Sequence, residues 1–550
     1  MNAQLPTRSG GQILIDQLKI QGVDRIFTVP GESFLDALDA LHDADTIDTV
    51  VCRQEGGVTY MADADGKMTG RPGIAFVTRG PGATNASAGV HVAFQDSTPM
   101  ILFVGGLDRR DKDREGFQEI DFPAFFGPIA KWAARIDDAR RIPEYVARAF
   151  RVATAGRPGP VVLEIPEDML TDRVEATDRP AIAPIAQPPC AGAVGALFEL
   201  LKEAVSPVAI VGGADWSPKA GHYFAEFATR VGLPVAASFR RQDAVGNDCP
   251  VYAGQLGYGP NPKLQQRIRD ADLIIAVGTR LGESTTEGYT LITPDHPEQT
   301  LVHVHPDPNE LGHVFNVDLP ICADMAEFAE MVADWHDDDL VPFSSGREAH
   351  AEWVDWSTPQ PRDGVTMDLG PCVAAMREAL PDNSIICNGA GNFSGWWHRY
   401  WHYGPQPTQL APTSGTMGYG LPAAVAAALR FKDRPVICVA GDGDFLMNGQ
   451  ELAVSAARDA DLLVILVDNG GYGTIRMHQE RDYPDRISAT QLTNPDFVAF
   501  AESFGGWGRR VEKTDAFKPA FEEAMGKKGI RLLHLITDMN VITNSRTLKS

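Results

Sequence analysis

The chain has 550 residues and a formal net charge of −24, and its length suggests three to four domains rather than a single core. Such an acidic chain lacks the basic face on which nucleic acids or anionic membranes bind, so we expect neither as a partner. No apolar run approaches the roughly 20 residues that cross a bilayer, and residues 1–6 show no basic region followed by an apolar one, so we expect no signal peptide and a cytoplasmic location.

Two proline-rich stretches divide the chain into three segments. Residues 171–192 and 337–364 show little periodic pattern and are predicted to be linkers. In each segment, apolar runs of strand length alternate with helical patterns, which is typical of a doubly wound parallel sheet. We therefore predict an α/β protein with three such domains, at residues 1–170, 193–336 and 365–550. The first and third segments are alike in length and architecture, which suggests two related units.

The first segment begins with a predicted helix at residues 12–21. Its strands are predicted at residues 25–29, 49–52, 73–78 and 99–104. The second strand leads into Arg53-Gln54-Glu55-Gly56-Gly57, and the third leads into Gly80-Pro81-Gly82-Ala83-Thr84-Asn85. A carboxylate at the beginning of a helix is favoured by the helix dipole, so Glu55 taken by itself requires no functional role.

The middle segment has the pattern of a Rossmann-like domain. Its strands are predicted at residues 208–211, 273–277 and 301–305. Gly212-Gly213-Ala214-Asp215 lacks a complete GxGxxG fingerprint, so a dinucleotide site there is unsupported, although it is not excluded.

The third segment places polar residues after two strands of one βαβ unit. A predicted strand at 436–440 leads into Gly441-Asp442-Gly443-Asp444, a helical stretch follows at 450–460, and a strand at 462–467 leads into Asp468-Asn469-Gly470-Gly471. The strands of a βαβ unit are parallel, so Asp442 and Asn469 emerge at the same edge of the sheet. Carboxylate and amide oxygens suit Mg²⁺, which is usually shared with phosphates, and the glycines let the backbone approach a diphosphate closely.

The cysteines give no sign of a disulfide framework or a metal site. There are seven, without a CxxC pair or metal-ligand spacing, which indicates a reducing compartment. Cys52, Cys387 and Cys438 fall in predicted strands and are most simply small core residues.

The Gly-Asp-Gly motif at 441–443, followed in the next loop by Asn469, resembles the signature of thiamine-diphosphate-dependent enzymes. The resemblance implies that Asp442, Asn469 and the carbonyl of Gly471 hold Mg²⁺ on the diphosphate of the cofactor. It also implies cofactor contacts from Gly443 and Asp444, in the same motif, and from Asn392, which follows the predicted strand at 384–388.

Two further segments resemble the acetohydroxyacid (acetolactate) synthase branch of this family. Residues 53–57 and 80–85 resemble its pyrimidine-binding domain, where Glu55 is implied to hydrogen-bond N1′ of the cofactor and to set the basicity of its 4′-nitrogen. In Ser414-Gly415-Thr416-Met417-Gly418, the resemblance implies that the Gly415 carbonyl accepts from the 4′-amino group and that Met417 holds the cofactor bent. The alternative for Met417 is a core filler in a glycine-rich turn.

The substrate-facing positions depart from that branch or are ambiguous. Gln118 and Asp121 resemble its substrate loop, and a polar surface loop is the alternative. Where synthases usually carry a tryptophan after the asparagine loop, this chain has Arg476-Met477-His478-Gln479. His478 could donate a proton, bind substrate or face solvent. The adjacent His-His pair of pyruvate decarboxylases is absent from the first segment.

The resemblance implies a thiamine-diphosphate- and Mg²⁺-dependent enzyme that decarboxylates a 2-oxo acid and joins the product to a second carbonyl, with pyruvate as the first substrate to test. The alternative within the family is a C–C lyase or hydrolase acting on acyloins, 2-hydroxyacyl-CoA or diketones. From another class, a nucleotide-dependent oxidoreductase would need a complete GxGxxG followed by an acidic residue.

The resemblance also bears on cofactors and assembly. Family sites are shared between the first domain of one subunit and the third domain of another, which implies a homodimer or homotetramer. In synthases the middle domain binds FAD without using it for redox chemistry, and in other branches it binds ADP or nothing. This chain contains no clear FAD-binding motif, so FAD is left open as a cofactor but is unsupported.

Overall fold

The computed structural model describes residues 6–213, 215–295, 297–336 and 340–548. These residues contain three six-stranded sheets, and every strand pair within the three sheets is parallel. The prediction of three parallel-sheet α/β domains is confirmed. By their contacts, the described residues form two compact units, one of residues 6–185 with 425–430 and the other of residues 186–424 with 431–548. None of the helices in the described ranges has the length and apolar character needed to cross a membrane.

The first unit contains one of the sheets, with strand order β3-β2-β4-β5-β7-β6, and a small antiparallel pair of β1 and β8. Its strands are β1 (Thr7–Ser9), β2 (Arg25–Thr28), β3 (Asp48–Val51), β4 (Gly73–Val77), β5 (Met100–Gly106), β6 (Trp132–Arg135), β7 (Pro160–Pro166) and β8 (Arg173–Glu175). Its helices are α1 (Gly10–Ile20), α2 (Leu35–His42), α3 (Glu55–Thr69), α4 (Pro81–Asp96), α5 (Phe122–Phe126), α6 (Ile142–Thr154) and α7 (Glu167–Thr171).

The second unit contains the other two sheets, of which the first has the order β11-β10-β9-β12-β13-β14. Its strands are β9 (Pro207–Val211), β10 (Val235–Ala237), β11 (Tyr252–Gln255), β12 (Leu273–Val277), β13 (Thr300–His305) and β14 (Leu319–Cys322). The helices of this part are α8 (Ala191–Glu203), α9 (Pro218–Val231), α10 (Pro262–Arg269), α11 (Met325–Ala333) and α12 (Ser345–Trp356). In chain order the strands lie 3-2-1-4-5-6, which is the arrangement of a Rossmann fold.

The third sheet has the order β16-β15-β17-β18-β20-β19. Its strands are β15 (Ile385–Asn388), β16 (Gln409–Leu410), β17 (Val436–Gly441), β18 (Leu462–Asp468), β19 (Trp507–Val511) and β20 (Ile530–Ile536). The helices that follow α12 are α13 (Leu369–Ala379), α14 (Ser394–Tyr400), α15 (Gly420–Arg430), α16 (Asp442–Phe445), α17 (Leu452–Ala457), α18 (Gly473–Asp482), α19 (Phe497–Glu502) and α20 (Thr514–Met525).

The first and third sheets share one topology. Numbered along the chain within each sheet, both have the strand order 2-1-3-4-6-5, which supports the inference of two related units. Cys52, Cys387 and Cys438 are buried, as predicted for core residues.

Both predicted linkers contain regular structure. In residues 171–192, strand β8 pairs with β1 through a register of only three residues, which is too short for a periodic pattern. In residues 337–364, the linker prediction is wrong over α12, which buries Ala349 and Trp353 four residues apart on one face. Serines and prolines at both sides of α12 concealed that spacing. Residues 1–5, on which the signal-peptide expectation partly rests, the acidic run 337–339 and Ala214 lie outside the described residues.

Candidate functional site

The predicted metal ligands lie at the carboxyl ends of two neighbouring strands. In the pairing of β17 with β18, Gly441 is opposite Val467, so Asp442 and Asp468 follow at the same level and Asn469 lies one residue further. Asp442 begins α16 and is only 2% exposed. The structure therefore brings Asp442 and Asn469 to the same edge of the sheet.

A residue that the sequence analysis missed, Asn494, joins the two carboxylates at this edge. Its amide nitrogen donates to Oδ2 of Asp442 at 2.7 Å and to Oδ1 of Asp468 at 2.9 Å. Oδ2 of Asp468 in turn contacts Nε2 of His534, on β20, at 2.8 Å. Asn494 lies beyond the next loop, and only its asparagine-proline-aspartate context before a helix marks it in the sequence.

The loop after β18 is fixed by backbone pairing with residues 490–492. The amide of Tyr472 donates to the carbonyl of Thr490 at 2.9 Å, and the amide of Leu492 donates to the carbonyl of Gly470 at 2.9 Å. A Cβ at Gly471 would lie 2.3 Å from the Thr490 carbonyl oxygen, and a Cβ at Gly443 would lie 2.6 Å from the Tyr472 ring. These glycines are required for the close approach of the loops, whatever ligand the loops hold.

The pKa values at this edge reflect burial and the two adjacent carboxylates. Burial and the nearby charge of Asp468 raise the pKa of Asp442 to about 6, although the hydrogen bond from Asn494 opposes the shift. Burial also acts on Asp468, but the hydrogen bonds from His534 and the Gly470 amide outweigh it and hold its pKa below the usual range. Hard oxygen donors next to two carboxylates form an environment that a divalent cation would balance, so the residues fit Mg²⁺.

Asp444 is turned into the protein interior and braces two loops. Its Oδ1 accepts from the amide of Gly418 at 2.7 Å and from the amide of Ala390 at 3.4 Å. Burial raises its pKa to about 7. Gly415, in the first of these loops, is exposed and has a left-handed φ of 68°, and Met417 is half-buried. Asp444 thus supports the loop that presents Gly415 and Met417.

Asn392, a predicted diphosphate contact, has both ends of its amide engaged within the chain. Its Nδ2 donates to the carbonyl of Ile542 at 3.0 Å, and its Oδ1 accepts from the hydroxyl of Thr474 at 2.9 Å. The side chain therefore connects the loop after β15 to helix α18 and to the C-terminal residues.

The turn after β10 contributes Arg240 to the same loops, which the sequence analysis did not anticipate. Arg240 is buried and donates to the carbonyl of Pro412 at 2.6 Å and to the carbonyl of Gly389 at 2.9 Å. The Pro412 carbonyl also accepts from the amide of Gly415 at 3.1 Å. Arg240 therefore holds the turn that positions Gly415.

His478 lies on α18 and is half-buried. Its ring makes no hydrogen bond or ion pair within the described ranges. On the same helix, Arg476 pairs with Glu480, whose Oε2 is 2.6 Å from the guanidinium.

In the first unit, Glu55 is the first residue of α3 and lies beside the beginning of α4. Its Oε2 accepts from Nδ2 of Asn85 at 3.0 Å, and the Gln54 side chain caps α3 by accepting from the amide of Gly57 at 3.1 Å. A Cβ at Gly82 would lie 2.8 Å from Cγ2 of Thr78, so the glycine allows the beginning of α4 to pack closely against Thr78.

Gln118 packs against the same helix beginning. A Cβ at Gly80 would lie 2.5 Å from Cβ of Gln118, and both residues have a left-handed φ, of 60° and 65°. Asp121 is exposed and caps α5 by accepting from the amide of Ala124 at 3.0 Å. The structure thus brings Glu55, Asn85 and Gln118 to the N-terminal end of α4, while Asp121 has a capping role.

The glycines after β9 have a packing role. A Cβ at Gly213 would lie 1.9 Å from the carbonyl oxygen of Gly278, which follows β12. The indole of Trp216 donates to the carbonyl of Gly212 at 2.8 Å and is buried. Close contact between two strand ends accounts for these glycines without a nucleotide.

Three family models match successive parts of the chain. The thiamine pyrophosphate enzyme N-terminal TPP binding domain matches residues 8–125, the central domain matches residues 194–332, and the C-terminal TPP binding domain matches residues 389–535. The matches include Glu55 in the first range and Asp442 and Asn469 in the last.

Curated relatives match almost the whole chain. An acetolactate synthase large subunit of Parasynechococcus marenigrum (strain WH8102) is 32% identical over 533 residues, which cover 93% of this chain and 85% of the relative. The acetolactate synthase isozyme 2 large subunit of Escherichia coli (strain K12) is 28% identical, with 96% of both chains covered. An acetolactate synthase of Bacillus subtilis (strain 168) is also 28% identical, with 96% of this chain and 93% of the relative covered.

Proposed function

We propose that this chain, which belongs to the thiamine pyrophosphate enzyme family, decarboxylates a 2-oxo acid and joins the remaining acyl group to a second carbonyl compound, with pyruvate as the first substrate. The observation that carries the proposal is the similarity to acetolactate synthases over more than nine-tenths of the chain. The presence of Glu55, Asp442 and Asn469 in the matched domains supports a working cofactor site.

Thiamine diphosphate, when bound, would supply a nucleophilic carbon and an electron sink for decarboxylation of the oxo acid. Asp442, Asn469 and the Gly471 carbonyl would hold Mg²⁺ against its diphosphate, with Gly443 allowing the loops to approach. In the first unit, Glu55 would hydrogen-bond the pyrimidine and set its proton affinity. Asn85 restrains one oxygen of Glu55, which fixes the direction of the other.

The remaining predicted residues have positioning or substrate roles in this proposal. The Gly415 carbonyl would accept from the 4′-amino group, and Met417 would pack under the cofactor. Asp444 and Asn392 would act by bracing the loops around it. Gln118 and His478 would face the substrate. Glu55 and Asp442 would serve one cofactor from different subunits, so we propose a homodimer or a larger homo-oligomer.

A second reaction in the same family is favoured by one observation. His478 lies near the position where synthases usually carry a tryptophan, and its ring has no hydrogen-bond or ion-pair partner in the described part of the chain. An imidazole can both donate and accept a proton in catalysis, which suits a C–C lyase or hydrolase acting on acyloins, 2-hydroxyacyl-CoA or diketones.

NMR of the purified protein with pyruvate, Mg²⁺ and thiamine diphosphate tests the proposal. We expect loss of pyruvate and formation of acetolactate only when the cofactor is present, and Asp442→Ala serves as the matched inactive control. Unchanged pyruvate with a protein that binds the cofactor would contradict the pyruvate reaction and direct the search to lyase and hydrolase substrates. Failure to bind thiamine diphosphate would contradict the proposed function itself.

A further inference from the structure

A continuous series of hydrogen bonds lies behind Asp442. It passes from Oδ2 of Asp442 to the amide nitrogen of Asn494, from that nitrogen to Oδ1 of Asp468, and from Oδ2 of Asp468 to Nε2 of His534, with distances of 2.7, 2.9 and 2.8 Å. Oδ1 of Asp468 also accepts from the Gly470 amide at 2.9 Å. Every step of the series therefore joins a carboxylate oxygen to a nitrogen.

Only one orientation of the Asn494 amide is compatible with its neighbours. The NH₂ group has two protons and can donate to both carboxylates. A flipped amide would place its oxygen against two carboxylate oxygens, which would repel it. The direction of the amide, and with it the position of the Asp442 oxygen that it holds, is therefore determined.

The far ends of the series are fixed by the fold. His534 lies within β20 and is 4% exposed, and its ring packs edge-on against Phe497 at 5.1 Å between centroids. Asn494 lies two residues after Leu492, the last residue of the segment 490–492 that pairs with the loop carrying Gly471. The same short segment thus fixes both the Asp442 carboxylate and the loop that carries the other two predicted ligands.

We propose that Asn494, backed by Asp468 and His534, is the positioning residue that sets the direction of the Asp442 carboxylate toward the metal ion. The inference rests on the proposed function, because it takes Asp442 as a ligand of Mg²⁺. Mg²⁺ requires near-ideal octahedral geometry, whereas Ca²⁺ accepts irregular coordination. A carboxylate that is free to turn should therefore weaken Mg²⁺ binding much more than Ca²⁺ binding.

The test measures binding rather than turnover. Thiamine diphosphate binding is followed by calorimetry at a fixed cofactor concentration while Mg²⁺ or Ca²⁺ is titrated, in the wild type and in Asn494→Ala. We expect the Mg²⁺ concentration for half-saturation to rise about 10- to 100-fold, and the Ca²⁺ value to change by less than about threefold. Asn544→Ala is the matched control, because its amide also donates a 2.7 Å hydrogen bond, to the Gly395 carbonyl outside the series, and we expect it to leave both values unchanged.

The comparison of Mg²⁺ with Ca²⁺ half-saturation distinguishes a positioning role of Asn494 from a general structural defect. Equal losses for both cations, or no loss in a folded Asn494→Ala protein, would overturn the inference, because a site that is disordered as a whole binds both metals less well. Should Asn494→Ala fail to fold, His534→Leu decides the question by the same ratio of Mg²⁺ to Ca²⁺ affinity, and His534→Gln, which retains a donor, should restore part of it. A wild type that binds no thiamine diphosphate with either cation would contradict the proposed function instead.

Discussion

Replacement of Arg240 by methionine should loosen the loop that presents Gly415. The guanidinium is 4% exposed and donates to the carbonyls of Pro412 and Gly389 at 2.6 and 2.9 Å. Each hydrogen bond from a charged donor contributes about 1.5–3 kcal/mol, so the loss of two should cost about 3–6 kcal/mol. Methionine fills much of the same volume, so we expect the cost to appear mainly in these loops.

Amide hydrogen exchange measures this effect directly. The amides of Gly415 and Gly418 are bonded to the Pro412 carbonyl and to Asp444 in the wild type, and local opening controls their exchange. Since each 1.4 kcal/mol is a factor of ten, their exchange should accelerate about 10²- to 10⁴-fold in Arg240→Met. Thiamine diphosphate affinity should fall at least about tenfold, because binding must reorder the loop.

Arg510→Met provides the matched control. Arg510 is exposed and pairs only with Glu512 in the described ranges, at 2.9 Å, and such surface pairs contribute about 0–1 kcal/mol. Exchange at Gly415 and Gly418 should therefore be the same as in the wild type. If Arg240→Met folds and shows wild-type protection at these two amides, Arg240 does not hold the loop that presents Gly415.

Three further predictions test the site and the buried polar groups. Glu55→Gln should remain folded and bind thiamine diphosphate, because the new side chain can still accept a hydrogen bond from Asn85. Turnover in the NMR assay should fall at least about 100-fold. Turnover within about tenfold of the wild type would show that Glu55 has no catalytic role. Burial and the charge of Arg240 lower the pKa of His398 to about 3, so below pH 6.5 the unfolded chain binds a proton that the folded chain does not, and stability falls as the pH falls. At pH 5 this destabilises the wild type by about 2 kcal/mol. Urea unfolding at pH 7.5 and pH 5 should therefore show a loss of stability in His398→Phe that is smaller than the loss in the wild type by about 2 kcal/mol. Equal losses in the two proteins would show that His398 is protonated in the folded protein. Mixing inactive Glu55→Gln and Asp442→Ala proteins, with subunit exchange demonstrated by mass, should restore activity at some sites, and no recovery would count against a site shared between subunits.

The sequence predicted the parts of the fold that depend on local pattern. The strands that lead to the site, β17 and β18, are unbroken apolar runs, and their predicted bounds differ from the observed ones by one residue at the carboxyl end. Helix α12 was missed because serines and prolines beside it outweighed the two buried residues on its inner face. Strand β8 was missed because three residues cannot show a period.

The candidate site was predictable to the extent that its residues directly follow strands. Asp442 and Asn469 were found because parallel strands end at one edge, whereas Asn494 and His534 come from later parts of the chain that return to that edge. Side-chain direction was also beyond the sequence. Asp444 follows Asp442 by two residues but turns into the interior, because the amides of Gly418 and Ala390 lie there.

The shared strand order of the first and third sheets has a consequence for the history of the chain. In both sheets, the second, third and fourth strands along the chain lead to residues of the candidate site: β3, β4 and β5 to Glu55, Asn85 and Gln118, and β16, β17 and β18 to Gly415, Asp442 and Asn469. Duplication of one ancestral gene would leave this correspondence. The two sheets would then be two copies of one ancestral subunit that are now joined in a single chain.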